Sequence, residues 1–179
     1  MHAKLYRPRP PSSFAPLPRL HSLLNQDLDR PLTLISAPLG FGKTTLLSDW
    51  LASSPRPSAW LSLDEHDNEL ATFLHYLVAA VNTIFPGACE ETLALLQGTV
   101  LPSSSVLRSV LSNDLDDAAE SGQTPAGQRF ILVLDDYHLI HSHEIHQIVD
   151  GLLLQPPRSL HLVLSVRRDP PLSLALLRG

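Results

Sequence analysis

A parallel α/β sheet layered between helices is the fold class this sequence predicts, and three observations carry that prediction. Short apolar runs alternate with longer stretches of helical spacing along the 179 residues. One of the runs, Phe130–Leu134 (FILVL), is continuously apolar, as strands are when helices cover both faces, and Leu160–Ser165 (LHLVLS) reads as a fourth strand. Proline and glycine punctuate the junctions, at Pro31, Pro38, Pro86-Gly87 and Pro156-Pro157. The order strand, helix, strand, helices, strand, helix, strand implies right-handed crossovers in one parallel sheet. No internal repeat of solenoid length is visible.

Each element follows from local chemistry. Residues 1–19 are proline-rich and predict an extended lead-in, because proline lacks an N–H and restricts its predecessor. Leu20–Leu28 reads as a short helix, so residues 1–28 form a lead-in and residues 29–179 the α/β domain. Pro31–Ser36 is too short for a buried helix and predicts the first strand. Thr44–Ser53 carries Leu46, Leu47, Trp50 and Leu51 at helical spacing. Ser58–Leu63 is a second strand. Asp67 is placed to cap a helix over Asn68–Phe85, with Leu70, Phe73, Leu74, Leu77, Val78 and Val81 as its stripe. Helices are expected near Glu90–Gln97 and Ser105–Ala119, the second capped by Ser103 or Ser104. Glu120–Gln128 is a polar loop. Ile145–Leu154 is helical, and a Leu-rich tail follows the last strand. Trp50, Trp60, Phe73 and Phe130 fall within apolar stripes and read as core.

Composition bounds the function classes. Apolar residues make up 44% of the chain, charged residues only 17%, and the net charge is −5. An acidic balance, with a pI near 5.9, supplies no electrostatic footprint for nucleic acid. The single cysteine, Cys89, excludes an internal disulfide framework and suits a reducing compartment. No stretch approaches the roughly 18 apolar residues of a membrane span, and no signal-peptide pattern opens the chain. The expectation is a cytoplasmic domain.

The chemistry concentrates in Ala37-Pro38-Leu39-Gly40-Phe41-Gly42-Lys43-Thr44-Thr45. The segment matches G-x-x-x-x-G-K-[ST] except for Ala37 at the first glycine, and it joins a strand to a helix. In such a loop the backbone N–H groups turn inward as an anion nest, and the helix dipole adds positive potential. Lys43 would reach the β- and γ-phosphates, and Thr44 would place its hydroxyl on Mg2+. Ala37 costs little if its φ is negative. The bland alternative is a glycine-rich turn with an exposed lysine.

Two further strand ends complete the constellation. Phe130–Leu134 runs into Asp135-Asp136, where a strand-end Asp can hold Mg2+. Asp135 is the metal candidate, and Asp136 could orient or deprotonate the attacking water. Arg167 follows the last strand, and its planar guanidinium suits a γ-phosphate sensor. Arg168 reads as a surface charge. His138, His141, His143 and His146 crowd one stretch but lack the cysteine or carboxylate set of a tetrahedral metal site. His138 is the one that could touch the nucleotide crevice.

With these residues in hand, the chain resembles the amino-terminal ATPase domain of the large ATP-binding LuxR-type transcriptional regulators, signal-transduction ATPases with a P-loop NTPase domain of the STAND class. The resemblance runs through Lys4-Leu5, Pro18-Arg19-Leu20, Ser36–Leu47, Trp60–Glu65, Leu132–His138 and Arg167–Leu172. It implies a three-layer α/β/α domain, incomplete at its carboxyl end by one parallel strand. It implies an ATP switch in which ATP and an inducer promote self-association. A slow ATPase activity would reset the switch, and DNA would be bound only through a carboxyl-terminal domain that these residues lack. Leu39 departs from the usual Ala of such loops, and Leu17 from the arginine common near the adenine pocket. A stand-alone phosphate-loop ATPase or kinase, or a nucleotide-binding fragment without turnover, is the alternative.

Overall fold

The computed structural model describes residues 2–11, 15, 17–121 and 128–177. Strands β1 (Leu32–Ser36), β2 (Ser58–Ser62), β3 (Phe130–Asp135) and β4 (Leu160–Val166) form one parallel sheet in the order β1-β4-β3-β2. The central strands β3 and β4 are buried at every position, as their continuous apolar runs require. Helices α1 (Pro18–Gln26) and α2 (Lys43–Ser53) cover one face. There Leu24, Leu47, Trp50 and Leu51 pack on Trp60, Ile131, Val133 and Val163. Helices α3 (Leu70–Asn82), α4 (Glu90–Leu96), α5 (Ser104–Glu120) and α6 (His143–Leu154) contribute to the larger core on the other face. A last short helix, α7 (Leu174–Leu177), follows β4. Trp50, Trp60, Phe73 and Phe130 are all buried, and Phe130 meets Phe85 edge to face at 5.2 Å.

Three sequence expectations are corrected. Asp67 does not cap α3. A 3-10 turn at Glu65–Asn68 intervenes, and Glu69 caps α3 by accepting from the Ala71 and Thr72 amides. Asp67 instead turns inward, fully buried, and accepts from the Asp64 amide and from Lys4. A carboxylate that has a lysine at hand can be buried; one without a partner cannot. The lead-in is likewise not simply extended, because His2–Leu5 forms a 3-10 turn against β2 and α3. Helix α6 begins at His143, two residues before the apolar stripe that marks it in the sequence. Most of the Glu120–Gln128 loop lies outside the described residues.

Lys4 fixes the amino-terminal turn in place. Its ammonium lies 2.7 Å from Asp67, 2.8 Å from Asp64 and 4.7 Å from the Tyr76 ring centroid. Burial works to lower the Lys4 pKa, but hydrogen bonds to Asp64 and Asp67 outweigh it and hold it above the ordinary lysine value. Lys4→Met should therefore cost about 2 kcal/mol, chiefly by leaving the Asp67 carboxylate without its cation. A shift in the urea midpoint without a change of slope checks this. A stability equal to wild type would reduce the clasp to a surface ion pair.

A buried histidine links the sheet to the turn before β1. His161 Nδ1 lies 2.7 Å from the Arg30 carbonyl, so it carries the proton, and Nε2 accepts from the Thr33 hydroxyl at 2.9 Å. Burial pushes its pKa down from 6.5 to about 4. The unfolded chain takes up this proton near pH 6.5 and the fold only near pH 4, so the contribution is fully present above pH 6.5. It is lost progressively as pH falls toward 4, by roughly 3 kcal/mol in all. Urea denaturation at pH 7 and pH 5 should show that His161→Gln has a flatter pH dependence than wild type.

The two sheet edges differ. His2–Leu5 packs beside β2, with Leu5 against the larger core. Among the described residues no strand pairs with the outer edge of β1. The Leu162 amide donates to the Pro31 carbonyl and the Ala37 amide to the Val166 carbonyl. Alternate residues Leu32, Leu34 and Ser36 therefore turn their peptide groups away from β4. A groove of about 890 Å³ follows this edge, lined by Leu20, Leu23, Leu24, Thr33, Ile35 and Leu174 among others.

Candidate nucleotide site

The loop between β1 and α2 reverses direction in a few residues, and two glycines make that possible. Gly40 and Gly42 have φ of 86° and 72°, in the left-handed region that a side chain would strain. Ala37 needs no such freedom: among the described non-glycine residues only Cys89 and Asp136 have positive φ. Leu39 and Phe41 point outward, 72% and 73% exposed, so they contribute nothing to the domain core. Helix α2 starts at Lys43 with no side-chain cap and no acidic residue in its first turn. Its first amides and the positive end of its dipole are thus left for an anion. The Lys43 side chain is buried against the loop, donating to the Ala37 carbonyl at 2.7 Å and the Pro38 carbonyl at 3.2 Å.

The strand-end acids meet this loop across the sheet. The Thr44 hydroxyl donates to Asp135 Oδ2 at 2.8 Å, joining residues 91 positions apart. Asp135 is buried, and its Oδ1 accepts from the Asp136 amide at 3.1 Å. Asp136 adopts φ 57° and ψ 33°, a left-handed conformation that turns the chain out of β3 immediately after the buried acid. Its carboxylate is partly exposed, 3.8 Å from His138 Nδ1. Among the described residues neither ring nitrogen of His138 has a hydrogen-bond partner, although the side chain is only 8% exposed. Burial and the positive charges of Arg167, Lys43 and Arg168 lower the His138 pKa against the opposing pull of Asp136. Arg167 and Arg168 are both exposed, directly beyond the end of β4.

The remaining histidines have separate surroundings. His146 pairs with the buried Tyr137 hydroxyl at 2.8 Å, and His143 with Gln147 at 3.1 Å. They share a pocket of about 350 Å³ with His138, His141 and Arg168. Among the described residues no group of three or more His, Cys, Asp or Glu side chains is arranged to hold a metal ion. A magnesium nucleotide asks for something different. Mg2+ takes hard oxygens, keeps several waters and binds through one or two carboxylates together with substrate phosphates. Thr44 and Asp135 are such a donor pair, and the uncapped start of α2 fits the phosphates. The residues present therefore fit a magnesium nucleotide.

Sequence reasoning missed the row of side chains in which Asp135 stands. Ser62 of β2 pairs with Asp135, and Ser165 of β4 lies on the other side of it. Alternation within Leu160–Val166 puts His161, Val163 and Ser165 on one face, a polar signal inside an apolar run.

No protein-family model matches the chain. The chain is 35% identical over 176 residues to the HTH-type transcriptional regulator MalT of Vibrio cholerae, covering 98% of this chain and 18% of that protein. It is 38% identical over 160 residues to MalT of Serratia proteamaculans, covering 89% and 17%. To MalT of Yersinia enterocolitica it is 39% identical over 147 residues, covering 82% and 15%. The chain thus spans less than a fifth of the length of these curated relatives. Among solved structures, Caenorhabditis elegans PCH-2 aligns with 89% of this chain and 36% of its own, at 13% identity and a TM-score of 0.38, which carries no argument by itself. Among the described residues no helix is long and apolar enough to cross a membrane. Over nearly its whole length the chain is thus similar to one segment of the MalT transcriptional regulators, and here that segment is a parallel four-stranded α/β domain.

Proposed function

We propose that this domain binds ATP with Mg2+ and serves as the nucleotide switch of a LuxR-type transcriptional regulator. The observation that carries the reading is the Thr44–Asp135 hydrogen bond, which brings a phosphate-binding loop and a strand-end carboxylate into one site. Lys43 and the amides of Gly40–Thr45 bind the phosphates. Thr44 and Asp135 hold the metal, which when bound neutralises phosphate charge. Asp136, just past the buried acid, orients the attacking water and takes its proton. Arg167 reads the γ-phosphate from the end of β4.

The relatives matched over this segment are HTH-type transcriptional regulators. The proposed cycle therefore uses ATP and an inducer to promote self-association, with slow hydrolysis as the reset. DNA contact is assigned to another part of the longer protein, and the setting is cytoplasmic. Isothermal calorimetry with ATP, with and without Mg2+, tests the first step. Saturable binding that strengthens with Mg2+ is expected, and no heat at millimolar ATP would sink the reading.

A further inference from the structure

The sheet ends beneath the phosphate loop in a single row of side chains. Ile35 is paired with Ser165, and Ser62 with Asp135. Leu134 is paired with Leu164, so Asp135 and Ser165 are the next neighbours across β3 and β4. Trp60, Val133 and Val163 all face the core under α2. Two residues on from each, Ser62, Asp135 and Ser165 face the same way. Ser62 accepts the Trp60 indole N–H at 2.8 Å. Ser165 is fully buried, and its hydroxyl has no hydrogen-bond partner among the described residues.

An unpaired hydroxyl in a core is costly, and a methyl or isopropyl group would fill the same place without that cost. Asp135 has capacity to pair with it. Each carboxylate oxygen accepts twice, and Thr44 and the Asp136 amide use one position on each.

We infer that Ser165 is a positioning residue for the metal-side carboxylate, its hydroxyl donating to Asp135 once a magnesium nucleotide occupies the loop. The inference rests on the nucleotide reading above. The hydroxyl that is unpaired in the nucleotide-free domain becomes paired in the loaded one, so the cost is relieved by binding. The effect belongs to the metal step: Asp135 oriented by a third donor presents a fixed oxygen to the cation.

The test is a Mg2+ titration of ATP binding, read by displacement of a fluorescent ATP analogue, for wild type, Ser165→Ala and Ser165→Cys. Ser165→Ala should raise the Mg2+ midpoint about tenfold, the weight of one hydrogen bond to a charged group. ATP affinity in excess EDTA should not change, and thermal unfolding of the nucleotide-free variant should equal or exceed wild type. Ser165→Cys, with a weak donor, should fall between. A midpoint within twofold of wild type overturns the inference, as does an equal loss with and without Mg2+. Wild-type protein that binds no ATP at all overturns the nucleotide reading and the inference together.

Discussion

Lys43→Ala should abolish ATP binding at any practical concentration, with affinity falling by about a thousandfold, or roughly 4 kcal/mol. The side chain is buried along the loop, and its ammonium already holds two loop carbonyls that a phosphate oxygen would replace as its partners. Helix α2 has no acidic residue in its first turn and no side-chain cap, so within the loop itself the countercharge for a triphosphate comes from Lys43 and backbone amides. Amides supply direction and partial charge, whereas the lysine supplies a full charge in a partly desolvated place. Lys43→Arg is not a rescue, because a planar fork does not fit a cradle built for a point charge. Calorimetry measures the loss, and thermal unfolding guards against a folding defect. Undiminished ATP affinity in a folded Lys43→Ala protein would remove the loop from the function.

Asp136→Asn should keep ATP binding and reduce hydrolysis by about a thousandfold, within the range of a positioned proton acceptor. Asparagine is the right probe because the backbone here is left-handed, at φ 57°, and Asn tolerates that conformation better than most residues. The Asp136 amide still donates to Asp135, so the metal-side carboxylate keeps one of its two observed partners and Thr44 supplies the other. Only the proton-accepting capacity is lost. Single-turnover phosphate release separates the two steps, and an unchanged rate would leave Asp136 as a turn residue. Asp135→Asn, in contrast, should weaken binding in Mg2+, which distinguishes the two neighbouring acids.

The parts of this domain that were legible in the sequence are those whose physics is local. FILVL read as a buried strand because no polar residue interrupts it, and β3 is central. The tight turn between β1 and α2 read from spacing, because its glycines answer to backbone angles within a few residues. Asp67 was misread because capping is a local rule, and it was overridden by Lys4, 63 positions away in sequence. The amino-terminal turn was hidden for the same reason: its contacts with β2 and α3 are entirely non-local. Ser165 was passed over as the end of a strand. Its meaning depends on register, which sets it beside Asp135 and which no spacing rule along one chain supplies.

The unequal edges of the sheet govern how these molecules can aggregate. Fibre growth by strand addition needs two open edges on every subunit, so that each added strand offers a fresh template. Among the described residues His2–Leu5 packs beside β2, while Leu32, Leu34 and Ser36 turn their peptide groups away from β4. Two copies of this segment that met through β1 would occupy each other's free edge, and the stack would stop at a pair. Loss of the amino-terminal turn would convert a self-limiting contact into an open-ended one.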